Sequence, residues 1–343
     1  MSPVDALLPL HRNESYWLLD EQLIAVCMAA MSPATLPLYP SYESLRKALS
    51  AYTGKPTSMI SIAAGSDAII EAIARVCVER NLRAILPLPT FYGYEKILSR
   101  VRLPIMPLAF TERDGAFIMP IDTILDSMTS GTALFLCQPN NPLGSRITES
   151  NMGRIFDRAR ENNVLVVLDE AYYEFDNPTY LAQIGSVPLI VVRTFSKGFG
   201  LSGARVGYAV APEDITAALT EQLLPWPVAH PSTCAALALL DANTLLAKRR
   251  TLLIKERARF SEELAATGVT VYPSFGNFVL IRVESADTIA AKLARDGILV
   301  ADGGSLCFNP VGSRLLLNTL RIAIPAPEHR TRVVGCIRSA INS

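Results

Sequence analysis

The first two-thirds of the chain alternates short apolar runs with stretches of helical period. The runs at 59–63, 84–88, 133–137, 164–168, 189–192 and 206–210 are rich in Val, Ile and Leu and bounded by turn residues. Continuous runs of that length predict strands buried on both faces. Between them, 66–80 carries Ile69, Ile70, Ile73 and Val76 on one helical face. Likewise 148–162 carries Met152, Ile155, Phe156 and Ala159, and Thr148-Glu149-Ser150-Asn151 supplies its start signal. Such alternation predicts an α/β fold built on a mostly parallel sheet.

After about Pro231 the pattern shifts. A long helical region reaches about Ala266, followed by β-like runs at 269–272, 278–283, 298–300 and 320–324, with a helix near 286–296. This α+β segment predicts a smaller second domain, on which the first ~35 residues are expected to pack. Residues 305–318 have no clear period and read as a loop. The expected division is a large domain over 36–230 and a small one from 1–35 with 231–343.

Composition narrows the function classes. A chain of 343 residues, 50% hydrophobic, fits about two domains and a large core, and excludes a disordered chain. The 32 basic and 32 acidic residues cancel, so a nucleic-acid or anionic-membrane partner has no electrostatic footprint. The longest apolar candidate, 23–31, is too short to span a bilayer, and MSPVDALLPLHRNES lacks the basic-then-apolar plan of a secretory signal. Six scattered cysteines without a C-x-x-C pair, and three histidines at 11, 230 and 329, predict a cytoplasmic protein with reduced thiols and no metal site.

Four local features carry candidate chemistry. Ala64-Gly65-Ser66-Asp67 marks a strand giving way to a helix, where free N–H groups favour a phosphate. Asn140-Asn141-Pro142-Leu143-Gly144 follows an apolar run and by itself is a turn. Asp169, closing the run 164–168, sits where α/β sheets place ligands, though a helix-capping Asp would look the same. Lys197, in Thr194-Phe195-Ser196-Lys197-Gly198, lies among Gly, Phe and hydroxyl residues. It is either a surface lysine or one whose lowered pKa suits Schiff-base formation.

Taken in order with Arg205, eight residues after Lys197, these features resemble the class I/II aminotransferases, which use pyridoxal 5′-phosphate. TFSKGFGLSGARVGY, LPLYPSYESLRKALSAYTG, PTFYGYEKI, PNNPLG and the closing GNFVLIRV and LRIAI are similar to the histidinol-phosphate aminotransferase branch, and the likeness covers nearly the whole chain. The resemblance implies the aspartate aminotransferase-like fold and a set of roles. Lys197 matches the Schiff-base lysine, Asp169 the carboxylate that pairs with the pyridine nitrogen, and Asn141 and Tyr172 the groups on the ring's 3-oxygen. Gly65, Ser66, Asp67, Thr194, Ser196 and Arg205 match the phosphate anchors, Phe91 the aromatic stacked on the ring, and Arg321 the binder of the substrate carboxylate. Tyr39 matches a tyrosine that reaches the cofactor phosphate of a second subunit, implying a homodimer, and Tyr16 falls in the N-terminal substrate motif.

The sequence departs from that pattern at three places. Leu38 stands where an arginine usually precedes the tyrosine, Asn13-Glu14-Ser15-Tyr16 replaces an Asn-Glu-Asn-Pro motif, and Ala301 stands where a second arginine is expected. Arg314 is a candidate replacement for that cation. The resemblance implies transfer of an amino group between an amino acid, or histidinol phosphate, and a 2-oxo acid. The loss at Ala301 shifts the expected substrate toward an apolar or aromatic side chain. A decarboxylase resembling the threonine-phosphate decarboxylases and a non-catalytic protein of the same fold are the alternatives.

Overall fold

Residues 7–32, 34, 35 and 37–342 are described by a computed structural model. The expected domain limits at residues 1, 36 and 343, and the first six residues of the segment tested for a signal, lie outside them. A seven-stranded sheet forms the centre of the larger unit. Its order is Ile60–Ala63, Gly207–Val210, Leu189–Thr194, Leu165–Asp169, Thr132–Cys137, Arg83–Leu88, Ile105–Ala109. Gly207–Val210 runs antiparallel to both neighbours and every other pairing is parallel, so the sheet is mixed but mostly parallel.

The continuous apolar runs are explained by burial on both faces. Leu134 and Leu136 join one core cluster while Ala133, Phe135 and Cys137 join the other, following the twofold side-chain alternation of a strand. The helix Gly65–Glu79 covers one face with Ile69, Ile70, Ile73 and Val76. The helix Glu149–Asn162 covers the other with Met152, Ile155, Phe156 and Ala159, and Thr148 caps it by accepting the Asn151 N–H.

A four-stranded antiparallel sheet, Thr270–Tyr272, Phe278–Arg282, Thr319–Ala323, Ala301–Asp302, organises the smaller unit. The division of apolar side chains differs from the one expected at residue 230. Leu8, Leu10 and Leu18 enter the small core, but Leu23 and Cys27 of the helix Glu21–Ala29 pack into the core of the large sheet, as do Ala235, Ala236 and Leu239. The long helical region breaks at Ala242 into His230–Asp241 and Asn243–Ala265. The second helix bridges the units: Leu246 faces the large core, and Leu253, Phe260 and Leu264 face the small one. Residues 305–318 are more ordered than a plain loop. They contain a short helix, Pro310–Ser313, and a 3-10 turn, Arg314–Leu316.

Candidate active site

Parallel strands deliver their C-terminal ends to one edge of a sheet, and ligands of open α/β folds bind there. A cavity of about 590 Å³ opens at that edge, against the small unit. Asp169 ends its strand on the cavity wall, and Asn141, Ser196 and Lys197 follow the ends of theirs.

Lys197 Nζ donates to the carbonyl oxygens of Arg12 at 3.2 Å and Asn13 at 3.1 Å. Burial lowers its pKa from 10.5 to about 8, helped by the Arg321 charge and opposed by Glu14 and Asp67. Lowering by that amount moves the amine toward the neutral, nucleophilic form.

Asp169 is buried at 3% exposure. Ala171 donates its N–H to Oδ1 at 2.9 Å, and the Tyr94 hydroxyl donates to Oδ2 at 3.2 Å. Burial pushes the carboxyl from 3.8 to about 7; those two donors oppose the rise, and Asp67 and Glu170 add to it. The adjacent Glu170 has its own cation, Arg193, at 2.8 Å, whereas no ion pair holds Asp169 among the described residues. A buried carboxylate without a cation is costly, so the site calls for a positively charged ligand atom beside it.

Tyr172 lies edge-on to Phe278 of the small sheet, with ring centroids 5.5 Å apart. Its hydroxyl accepts from Asn13 Nδ2 at 3.1 Å, and burial pushes its pKa up, so it stays a donor. Arg321 comes from the small sheet and is 5% exposed. Nη1 donates to Asn141 Oδ1 and Nη2 to the His11 carbonyl, both at 2.7 Å, while the buried Nε has no partner. Ala301 lies directly across from Arg321 in the strand register.

A second cluster of donors gathers at the start of the helix Gly65–Glu79. No side chain caps that helix, so the N–H groups of its first turn remain available. Arg205, in the left-handed region at φ 52°, sends Nη1 to Ser196 Oγ and Nη2 to Asp67 Oδ2, each at 3.3 Å. Thr194 Oγ1 donates to Ser196 Oγ at 3.0 Å. Gly207 permits this clustering, because a Cβ there would lie 2.4 Å from Ser66 N.

Phe91 borders the cavity as expected, and Gly93 makes room for its ring: a Cβ there would come within 2.3 Å of Cε1. Three predicted side chains are not brought to the cavity. Tyr16 does not border it: its hydroxyl accepts the Ala326 N–H at 3.3 Å, whereas Arg12 and Glu14 of the same stretch do line the cavity. Tyr39 is 76% exposed and stacks on Trp226 at 4.3 Å between centroids. Arg314 lies in the 3-10 turn away from the lining residues, so it does not replace the cation missing at Ala301; Lys96 does line the cavity. The sequence assigned no role of their own to Asn13, Tyr94, Glu95 and Lys96. The last three lie in the quoted segment PTFYGYEKI, but nothing in its period shows that Tyr94 reaches Asp169.

The sequence profile described as aminotransferase class I and II matches residues 17–334. The chain belongs to the class I and II aminotransferases. It is accordingly a pyridoxal 5′-phosphate-dependent aminotransferase. A histidinol-phosphate aminotransferase from Thermoanaerobacter pseudethanolicus is 35% identical over 96% of this chain and 92% of its own length. Among solved structures, the histidinol-phosphate aminotransferase of Clostridium acetobutylicum superposes with a TM-score of 0.87 at 21% identity, over 98% of this chain and 99% of that one. The L-threonine-O-3-phosphate decarboxylase of Porphyromonas gingivalis gives 0.82 at 20% identity, over 98% and 100%. At such identities the structural likeness speaks for the fold, the aspartate aminotransferase-like one. The donor set of this aminotransferase fits the cofactor. An unpaired buried carboxylate, an amine with a lowered pKa and an uncapped helix start with an arginine answer its ring nitrogen, aldehyde and phosphate.

Proposed function

We propose that this aminotransferase moves an amino group from an amino acid, or a related amine such as histidinol phosphate, to a 2-oxo acid, with Lys197 as its central catalytic residue. The observation that carries the reading is the meeting, in one cavity, of the lowered Lys197 amine, the unpaired Asp169 carboxylate and the buried, partnerless Arg321 Nε. When bound, pyridoxal 5′-phosphate supplies a ring that accepts electron density from the substrate Cα. Lys197 would hold the cofactor covalently and then carry the proton to and from that carbon. Asp169 would keep the ring nitrogen protonated, with Tyr94 and the Ala171 N–H keeping the carboxylate ionised. Asn141 Nδ2 and the Tyr172 hydroxyl would donate to the ring oxygen. Gly65, Ser66 and Asp67 at the helix start, with Thr194, Ser196 and Arg205, would anchor the phosphate, and Phe91 would cover the ring.

Arg321 would take the substrate carboxylate through Nε and an Nη, the paired geometry that suits a guanidinium. Val300, Ala301 and Leu306 line the cavity and suit an apolar portion of the substrate. The test is single turnover of the cofactor-loaded protein against single amino acids, following the cofactor absorbance and the product. An oxo acid supports the reading, and carbon dioxide release favours the decarboxylase instead.

The same reading includes a homodimer in the cytosol. Tyr39 and Trp226 form an exposed aromatic stack, and Leu38 and Leu224 are 63% and 76% exposed. Apolar groups left open in this way suit a second copy, and two-fold dimers are the commonest assembly. Tyr39 would then reach the cofactor phosphate in the second copy's site. Sedimentation of an active monomer would overturn the dimer. The six cysteines are free, as a reducing compartment favours, and among the described residues no helix is long and apolar enough to cross a membrane.

A further inference from the structure

Within the aminotransferase reading, two cations on the cavity wall, Arg12 and Lys96, are left without a task, and of these Lys96 is the one held against ring faces. Lys96 stands one turn after Tyr92 on the helix Tyr92–Arg100, so the two share a face. Its Nζ lies 5.2 Å from the centroid of the Tyr92 ring and 4.7 Å from that of Phe308. The two rings meet edge to face at 6.0 Å and 89°. All three side chains border the same cavity as Arg321. Ring faces hold an ammonium in place without neutralising it.

The acids nearby do not pair with it. Glu95, next in sequence and 8% exposed, turns inward and accepts the N–H groups of Phe308 at 3.2 Å and Asn309 at 2.6 Å. That contact fixes the segment carrying Phe308. Asp302, on the other side of the segment, forms no ion pair among the described residues; burial raises its carboxyl above the usual range, and the N–H groups of Gly304, Gly303 and Ser305 act against that rise. Among the described residues, Lys96 has no ion pair. An anionic ligand group can therefore approach it without breaking one.

We propose that Lys96, held between Tyr92 and Phe308, is the specificity residue that binds an anionic group at the far end of the substrate from Arg321. The inference rests on Arg321 binding the near carboxylate. It assigns the cavity to substrates with an acid at each end of an apolar spacer, and it accounts for Ala301: the second cation enters from the helix Tyr92–Arg100 instead of from the strand beside Arg321. The shared chemistry is a terminal oxyanion, carboxylate or phosphate.

The test is equilibrium binding of unreactive analogues to the cofactor-loaded protein by calorimetry, comparing pentanoate, glutarate and 4-phosphonobutyrate. Wild type should bind at least one of the two double acids several-fold tighter than pentanoate, up to about fivefold, as a partly exposed ion pair gives. Lys96→Gln should bring that ratio close to one, and Lys96→Arg should retain it. An advantage confined to glutarate identifies a carboxylate end group; one confined to 4-phosphonobutyrate identifies a phosphate-like one. The proposal is overturned if wild type shows no advantage, if the advantage survives in Lys96→Gln, or if it is lost in Arg12→Gln instead. Failure of the aminotransferase reading would register separately, as amino acids that leave the cofactor absorbance unchanged.

Discussion

Replacing Asp169 by Asn should make the cofactor-free protein more stable, by an amount that depends on pH. The folded carboxyl titrates at about 7 instead of 3.8, chiefly because it is buried. Between those two values the unfolded chain has lost the proton and the folded chain has kept it. Stability therefore falls as pH rises through that window and levels off above about 7. A rise of about three units at 1.36 kcal/mol each corresponds to about 4 kcal/mol by pH 8. An Asn carries no such penalty, and it conserves both contacts, since Oδ1 still accepts the Ala171 N–H and Nδ2 can donate to the Tyr94 hydroxyl. Urea unfolding of wild type and Asp169→Asn, both stripped of cofactor, at intervals from pH 4 to pH 8 measures the difference. The curves should lie close together at pH 4 and separate by about 4 kcal/mol at pH 8, with the variant higher. A separation independent of pH, or a wild type more stable at pH 8, would refute the claim that Asp169 is an unpaired buried acid. In the loaded enzyme the same variant should lose turnover far more than cofactor affinity, because the phosphate anchors are untouched.

Lys197→Ala should abolish the borohydride-fixed cofactor adduct found by peptide mapping and lower turnover by several orders of magnitude, and an adduct on another lysine would reassign the role. Tyr94→Phe removes one donor to a buried carboxylate, about 1.5–3 kcal/mol, and should move the upper end of the Asp169 pH window up by about one to two units. Arg321→Gln should raise KM for amino acids by roughly 100-fold with a smaller change in kcat, since it removes the charge that holds the carboxylate; an unchanged KM would place the carboxylate elsewhere.

The large sheet was legible because its strands are buried on both faces, which leaves apolar runs too short for helices and too continuous for amphipathic strands. The cofactor side of the cavity was legible for a related reason: Asp169, Lys197 and the Gly65 turn lie at strand ends, where local sequence and position in the sheet coincide. The substrate side was legible only at Arg321 and Ala301, and there through the family resemblance. Arg321 and Ala301 come from the small sheet, Glu95 and Lys96 from a helix of the large unit, and Phe308 from the segment that showed no period. Their meeting depends on how the two units pack, and no window of sequence contains that. Tyr16 shows the same limit: Arg12 and Glu14 line the cavity and Asn13 bonds the Tyr172 hydroxyl, whereas the Tyr16 hydroxyl goes to the Ala326 N–H.

Burial draws the three principal groups of the site in one direction. It raises the Asp169 carboxyl and lowers both the Lys197 amine and the Arg321 guanidinium, each toward its neutral form. A cavity assembled only for stability would have paired them, as Arg193 pairs Glu170 one residue away from Asp169 at 2.8 Å. The counter-charges are instead left to come from outside: a protonated ring nitrogen for Asp169, an aldehyde for the neutral amine, a carboxylate for Arg321. Binding of the cofactor and the substrate should thus stabilise the fold by relieving these separate penalties, in addition to the mass-action effect of any ligand. The site is consequently least stable where it is most specific, and the Asp169→Asn stability gain at high pH measures one part of that cost.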